Sequence, residues 1–333
     1  MWSLYRLMSA WLSLALILLS VRTRPAEALT LPAEAWGISV GNSPGVNGIR
    51  INARDVDLVW VNGVNLTLWI PGDNHNARIT GCAVGLATPS AAVLRGIAVG
   101  GVAVAVENMT GIALAGAGVA GSNLSGLMAA PFGVAGHDVQ GIVVGGVGIG
   151  SDRIRGIAVG GLGVGGTEFS GAFVGGLGIG ASTIRGIALG GIGVGAEDLS
   201  GLVVGGLGVG SESITGLTVG GLGVGSGSIG GVTVGGLGVG ARDISGACIG
   251  GLAIGCRRLK GFGLAAGMVR ADEIKGVSIA AYCRASVRAE GLSIGIVNSA
   301  ARLKGIQIGL LNHAGNNPRG LKVLPLVNLN LKG

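Results

Sequence analysis

Aromatic side chains are scarce in this sequence, at 3% of 333 residues, and charged ones supply only 12%, against about 25% in ordinary globular proteins. Each shortage excludes something. Few charges on an apolar chain, with mean hydropathy +0.68, rule out the polar, charge-rich kind of disorder. The absence of aromatics interleaved with basic residues counts against nucleic acid as a partner. Histidine occurs only at His75, His137 and His313, far apart in sequence; Asp73-Asn74-His75 alone lacks the further ligands a metal site requires. There is no Cys-x-x-Cys, hence no zinc or redox motif, and no Gly-Lys-Ser/Thr, hence no phosphate-binding loop. GxGxxG-like strings arise by chance in a chain this rich in glycine, and they lack the flanking strand, helix and downstream acid of a dinucleotide site. Serine and aspartate are common, but nothing pairs them with a base. No catalytic, cofactor-binding or metal-binding residues are expected, and the chain reads as a non-enzyme.

The first residues read as a targeting segment. Arg6 precedes an apolar run from Leu7 to Val21, and Ala26-Glu27-Ala28 offers a small-x-small cleavage site, so residues 1–28 are expected to be a signal peptide. The run is short for a membrane span of ~20 residues, although Arg22 and Arg24 after it leave an uncleaved anchor open. Export to the periplasm, outer membrane or cell surface follows.

Glycine is what the chain has in excess, 71 residues in all. It follows no Gly-X-Y rule with proline, which excludes collagen. It opens a unit every fifteen residues from Gly81 to Gly291, takes one fourteen-residue step to Gly305, and returns after fifteen at Gly320. The unit is G-[IVL]-x-[VIL]-G-G-[LVI]-G-[VI]-G-x-x-x-[IL]-x, as in Gly156-Ile157-Ala158-Val159-Gly160-Gly161-Leu162-Gly163-Val164-Gly165. Position 4 is aliphatic in all sixteen units except at Ala129, and position 5 is only Gly or Ala. Apolar positions 2 and 4 alternate, the Gly-Gly pair shifts the phase, and positions 7 and 9 alternate again. Each unit therefore reads as two short strands, a corner and a polar third side. Nothing repeats at the helical period, and glycine disfavours a helix by roughly 1 kcal/mol per position.

These features predict an all-β, single-stranded β-solenoid of fifteen-residue glycine-rich coils, with positions 2, 4, 7, 9 and 14 facing inward. One coil cannot offset the entropy of ordering its backbone, whereas stacked coils bury a continuous column. At ~4.8 Å per coil, sixteen units make a rod of roughly 75 Å. The rival is an outer-membrane-type β-barrel with one strand per unit. Against it stand the broken alternation, the likeness of every unit to the next and the lack of aromatic girdles. Residues 29–80 hold Trp36, Trp60 and Trp69 and read as degenerate repeats forming an N-terminal cap. Within them Asn47-Gly48-Ile49-Arg50-Ile51 and Asn62-Gly63-Val64-Asn65-Leu66 keep the pattern fifteen apart, although Asn62-Gly63 also suits a hairpin. Residues 71–80 read as a loop, 81–319 as regular repeats and 320–333 as a C-terminal cap.

The C-terminal stretch reads Gly305-Ile306-Gln307-Ile308-Gly309-Leu310-Leu311-Asn312, then Asn316-Asn317-Pro318-Arg319-Gly320-Leu321, then Leu324-Pro325-Leu326-Val327-Asn328. This resembles bacterial exported surface-repeat proteins, with units G-[LVI]-Q-[LVI]-G-L-[LVI]-N and a Leu-Pro-Leu-[IV]-Asn tail. The run Asp57-Leu58 followed by Val61-Asn62-Gly63-Val64-Asn65-Leu66-Thr67-Leu68-Trp69 is similar to the start of related exported proteins. The resemblance implies an envelope location and no catalytic residues. Central units replace the family's Gln and Asn with Ala, Thr or Gly, which puts a side-chain ligand role there in doubt.

Cys82, Cys248, Cys256 and Cys283 fall at unit positions 2, 3, 11 and 8 and do not stack. Export would allow Cys248–Cys256 or Cys256–Cys283 disulfides, with core-filling or surface thiols as the alternative. An outward array at position 3 would suit ice or glycan binding, but only Thr218 and Thr233 of the central units are threonine there. Charge is polarised: residues 246–333 hold twelve Lys or Arg against three acids, residues 29–245 eight against twelve. Arg257, Arg258, Lys260, Lys275, Lys304 and Arg319 are expected to form a basic edge, interrupted by Glu290, that contacts an anionic envelope surface such as lipid head groups or polysaccharide; a soluble polar end is the plainer alternative. No cofactor is implied.

Overall fold

In the computed structural model, residues 29–31 and 36–331 are described; the expected signal peptide, residues 1–28, lies outside the described residues. Every regular element among them is a β-strand. Strands of up to thirteen residues, such as Gly148–Gly160, run from position 8 of one unit to position 5 of the next. From Arg78 to Ala265 each pairs in parallel with its successor at a constant offset of fifteen, so that Val144 lies beside Val159 and Val159 beside Val174, and beyond that range Met268 pairs with Tyr282 at fourteen before a bulge restores fifteen at Glu273 and Arg288. The turns at positions 6 and 7 keep the stack closed, because Gly161 N–H donates to Gly145 O at 2.9 Å and Leu162 N–H to Val147 O at 2.7 Å. Neighbours related by one parallel offset make a β-solenoid. An up-and-down barrel would need antiparallel neighbours, and it is excluded.

The coils are held by their opening glycines. Gly37, Gly48, Gly63 and then every opening glycine from Gly81 to Gly305 have φ between +112° and +151°, a region that side chains rarely enter. The same glycines are where successive backbones touch: a Cβ on Gly156 would lie 2.1 Å from the Gly141 carbonyl oxygen. Residues 29–80 join this column. Asn47 pairs with Asn62 and Gly48 with Gly63 in parallel, not as a hairpin. The expected loop is shorter than 71–80, since a strand begins at Arg78. The fourteen-residue step is absorbed at a corner, where Ala285 pairs with Ala300 but Ala289 with Leu303.

Burial corrects the expected phase. Positions 9 and 14 face inward, as in Val164 and Phe169 at 3% and 1% exposure. Positions 2, 4 and 7 do not: Ile157, Val159 and Leu162 are 45%, 37% and 52% exposed, while Ala158 at position 3 is fully buried. Side chains alternate without a break from position 14 through the opening glycine to position 5, so an inward 14 sends 3 and 5 inward and 2 and 4 out. The lumen enclosed by one fifteen-residue coil is narrow. It accepts alanine at position 3 and glycine at position 5, where a Cβ on Gly160 would meet the Gly163 carbonyl oxygen at 2.2 Å. Phe173 fills position 3 between Ala158 and Ala188 and stacks on Phe169, with ring centroids 5.0 Å apart.

Both ends of the lumen turn polar. At the N-terminal end Arg50 is fully buried and pairs with Asp55; it also donates to Asn65 Oδ1 at 2.9 Å, Asn42 Oδ1 at 2.8 Å and the Ser43 carbonyl at 3.0 Å. Asp55 accepts from Thr67 Oγ1 at 2.5 Å and Asn65 Nδ2 at 2.8 Å. Towards the C-terminal end Ser278 donates to Ser293 at 3.0 Å, Asn298 to Asn312 at 2.7 Å and Asn317 to Asn328 at 2.7 Å. Each end also carries one antiparallel strand, Leu29–Leu31 on Trp36–Val40 and Val323–Asn330 on Leu303–Ala314.

Two paired substitutions test this geometry. Gly201→Ala forces a side chain to φ +122° with its Cβ 2.1 Å from the Gly186 carbonyl oxygen, whereas a Cβ on Gly195 meets nothing within 4 Å. Thermal unfolding followed by circular dichroism should show Gly201→Ala losing at least ~2 kcal/mol and Gly195→Ala close to neutral. In the same assay Val203→Asp, at a site 1% exposed, should cost several kcal/mol as an unpaired buried charge. Val204→Asp should cost much less, because Val204 is only half-buried.

Candidate functional site

Stacking turns each unit position into a column, so the surface is best described column by column. Position 15 reads Ser245, Lys260, Lys275, Glu290 and Lys304 in hydrogen-bonded succession. This is the expected basic ladder with its acidic interruption. Position 13 reads Asp243, Arg258, Glu273, Arg288, alternating in sign, which favours pairing between adjacent coils. Arg258 grips Asp243 with two hydrogen bonds, at 2.5 and 2.9 Å, and this contact holds the Asp243 carboxyl below its ordinary pKa while raising that of Arg258. Glu290 takes Arg288 at 2.6 Å and Lys275 at 3.8 Å. Arg257 stands one coil above Arg242 at position 12, its N–H donating to the Arg242 carbonyl at 2.9 Å. A shallow depression of about 260 Å³ opens among Arg258, Lys260, Glu273, Lys275, Arg288 and Glu290.

Five of the six expected basic residues therefore gather on one side of the C-terminal coils, partly neutralised by Asp243, Glu273 and Glu290. Arg319 does not join them. It lies in the turn before the antiparallel strand Val323–Asn330, and Gly320 leaves the stack: its φ is positive, yet a Cβ there would meet nothing within 4 Å.

Position 3 offers no outward array. Thr218 and Thr233 are buried, and their hydroxyls have no hydrogen-bond partner. Gln307 is 1% exposed at the same inward position, so it is part of the core and not a ligand-facing group. His137 contacts Asp152 on the surface, His75 is exposed beside Asp73, and His313 lies 3.4 Å from Ser299. Among the described residues no three His, Cys, Asp or Glu side chains gather.

The surface that sequence reasoning missed is apolar. Positions 2 and 4 form two parallel columns of outward aliphatic side chains, and position 7 forms a third along the neighbouring corner, with Leu177, Leu207, Leu222 and Leu237 each about half exposed. The signal was available: polar positions 13 and 15 flank an apolar 14, and that alternation carries through the opening glycine. With fold and surface in place, comparison with known proteins adds nothing, since no family model, curated protein or solved structure matches the chain. Its class is a parallel, single-stranded β-solenoid with an aliphatic face and a charged flank.

The four thiols are free. Cys248 occupies the lumen at position 3, and Cys283 falls in the position-9 column through its pairing with Val269, an inward place that its spacing from Gly276 did not reveal. Burial pushes the Cys248 thiol up to about 12, with neighbouring Cys256 adding to the shift, and burial likewise raises Cys256 to about 12, with Asp243 and Asp272 contributing. Both should resist iodoacetamide at pH 8 in the folded protein and react once it is unfolded. Unfolded thiols ionise near pH 8.5, whereas these ionise in the fold only near 12. Below pH 8 the thiols therefore lend their full stability, and the urea midpoint should fall as pH rises from about 9 toward 12. A Cys248→Ala, Cys256→Ala variant should lack that part of the fall.

Proposed function

We propose that this chain is an exported structural rod of the bacterial cell envelope, which works by presenting repeated surface and catalyses no reaction. The observation that carries this reading is the periodicity of the exterior. The same outward side chains recur every fifteen residues from Gly81 to Gly291, so the chain offers long uniform columns, whereas catalysis needs one unlike constellation of groups held at a single point. The apolar leader and the resemblance to exported surface-repeat proteins support the envelope location.

A second reading rests on the charged flank. Residues 242–304 carry Arg242, Arg257, Lys260, Arg302 and Lys304 beside the paired residues, and the net charge of this end is positive. This end binds an anionic envelope surface weakly, through lipid head groups or polysaccharide, by its summed field. Fractionation of cells producing the protein tests the first reading: the rod should sediment with envelopes and leave them with salt or alkali, without detergent. Recovery in the cytoplasm would overturn it. Co-sedimentation with anionic and neutral vesicles tests the second. Binding should favour anionic vesicles at low salt and vanish near 1 M, where the Debye length is about 3 Å. A Lys260→Glu, Lys275→Glu, Lys304→Glu variant should lose it, and equal binding by both proteins would defeat the idea.

A further inference from the structure

We infer that the aliphatic face built by positions 2 and 4 is the interface between two copies of this chain, packed face to face with their rods antiparallel. The inference rests on the fold and is independent of where the protein resides.

The face is continuous and without charge. From Gly96 to Gly305, positions 2 and 4 carry only Ile, Leu, Val, Ala and Phe; many stand about two-fifths exposed, from Ile97 at 44% through Leu217 at 42% to Ile249 at 37% and again at Ile308 at 41%, while those from Phe262 to Ile294 are half-buried. At ~4.8 Å per coil and about 12 Å across two outward columns, this strip covers roughly 900 Å². Monomers rarely leave an apolar patch beyond a few hundred Å² in contact with water, and a standard interface takes about 800 Å² from each partner. The area therefore suffices for a stable dimer before the position-7 ridge is added.

The shape favours a second copy. Because the register repeats from coil to coil, the columns are continuous and share one period, so the ridges of one face can match the grooves of an identical face with the same twist at the ~10 Å separation of packed sheets. The flanks argue against lipid as the occupant. Surfaces that lie in a bilayer interface are rimmed by Lys, Arg, Trp and Tyr. Here the rim at position 15 from Thr110 to Ser245 has only Arg155 and Arg185 as cations, Lys260, Lys275 and Lys304 are confined to the C-terminal coils, and no Trp or Tyr occurs between Gly96 and Gly250.

Charge sets the orientation. Residues 96–245 hold eight acids against four arginines, and residues 246–333 twelve bases against three acids. In the antiparallel register that sets Ile97 opposite Ile306, each basic end faces residues 98–157 of the partner, which hold three acids and two arginines, whereas a parallel pair sets basic beside basic. Two-fold pairing of this kind is isologous and closes at two copies. The antiparallel strands at the rod's ends oppose growth along the axis instead, since a further coil would have to pair with them in parallel.

Sedimentation velocity on the purified full-length mature chain, without detergent, tests the proposal. The expected mass is twice that of one chain. Ile157→Lys, Ile187→Lys, Leu217→Lys should convert it to a monomer with an unchanged β-sheet circular dichroism spectrum, whereas the control Gly180→Lys, Gly210→Lys, at exposed position 10 where a Cβ meets nothing within 4 Å, should remain a dimer. A monomeric wild-type chain at tens of micromolar, or a folded triple-lysine variant that stays dimeric, overturns the inference. If the triple variant does not fold, oxidative cross-linking decides in a Cys82→Ala background. Leu202→Cys, near the middle of the strip, should link to itself. Ile97→Cys should link to Ile306→Cys when the two proteins are mixed and not to itself. Self-linking of Ile97→Cys would mean a parallel pair, no linking at Leu202→Cys would mean another face, and flotation of the wild type with neutral vesicles would mean a lipid occupant; each result rejects the proposal.

Discussion

One contact governs this molecule: the backbone of one coil resting on the backbone of the next at the opening glycine. The carbonyl oxygen of each glycine occupies the space a side chain on the following glycine would need, and each of those glycines adopts a φ that a side chain would resist. Sterics and conformation thus demand glycine together at that position. Because the contact recurs at every coil, it fixes the offset between strands, and the offset fixes everything else. Columns are continuous because the glycines stack, the lumen is narrow because the coil closes tightly around them, and outward residues repeat because the register never slips across the central units.

The narrow lumen explains a composition that is otherwise puzzling. A chain with abundant Ile, Leu and Val would be expected to enclose them, and it does so at positions 9 and 14 and, at position 3, only with the smaller Val143 and Val203. Interior space is limited: position 5 takes only glycine or alanine, position 3 is mostly alanine or a residue no larger than valine, and its bulkiest central occupants, Met128 and Phe173, are spaced apart, Phe173 sitting between two alanines of the adjoining coils. The displaced aliphatic residues have no place except outside. At the two ends, where the stack must stop, the interior is closed by hydrogen-bonded groups: a buried arginine–aspartate pair at one end and a series of asparagines at the other.

Period, parallel register and the degenerate head were legible in the sequence because they depend only on spacing, and spacing survives folding unchanged. Gly48 and Gly63 betray the repeat even where its other residues have drifted. The phase was not legible in the same way. Judged by size, Ile157 and Val159 belong inside and Ala158 outside, and the parity set by Ile154 and Phe169 says the reverse. Parity prevailed because backbone geometry imposes it, whereas burial of apolar residues is a tendency with a large exposed remainder. Spacing also misled, at Cys283 and at Gly320. Gly320 keeps both the interval and the positive φ of the column, but the chain has already reversed direction there, so Arg319 parts from the other basic residues. Partnership between Arg50 and Asp55 left no trace in the pattern, since a charged residue at an inward position looks like an error in the repeat until the end of the lumen is seen.

The closed ends and the interchangeable middle give the rod a property of measurement. Inserting or removing one whole unit between Gly96 and Gly250 would leave both polar plugs untouched and every outward column in line, while lengthening or shortening the molecule by one strand spacing of about 4.8 Å. Length is therefore a quantity that the gene can change in equal steps without redesigning any contact. A step of any other size would have to be hidden at a corner, as the fourteen-residue step is between Ala300 and Leu303. Such a chain behaves as a ruler whose graduations are its coils.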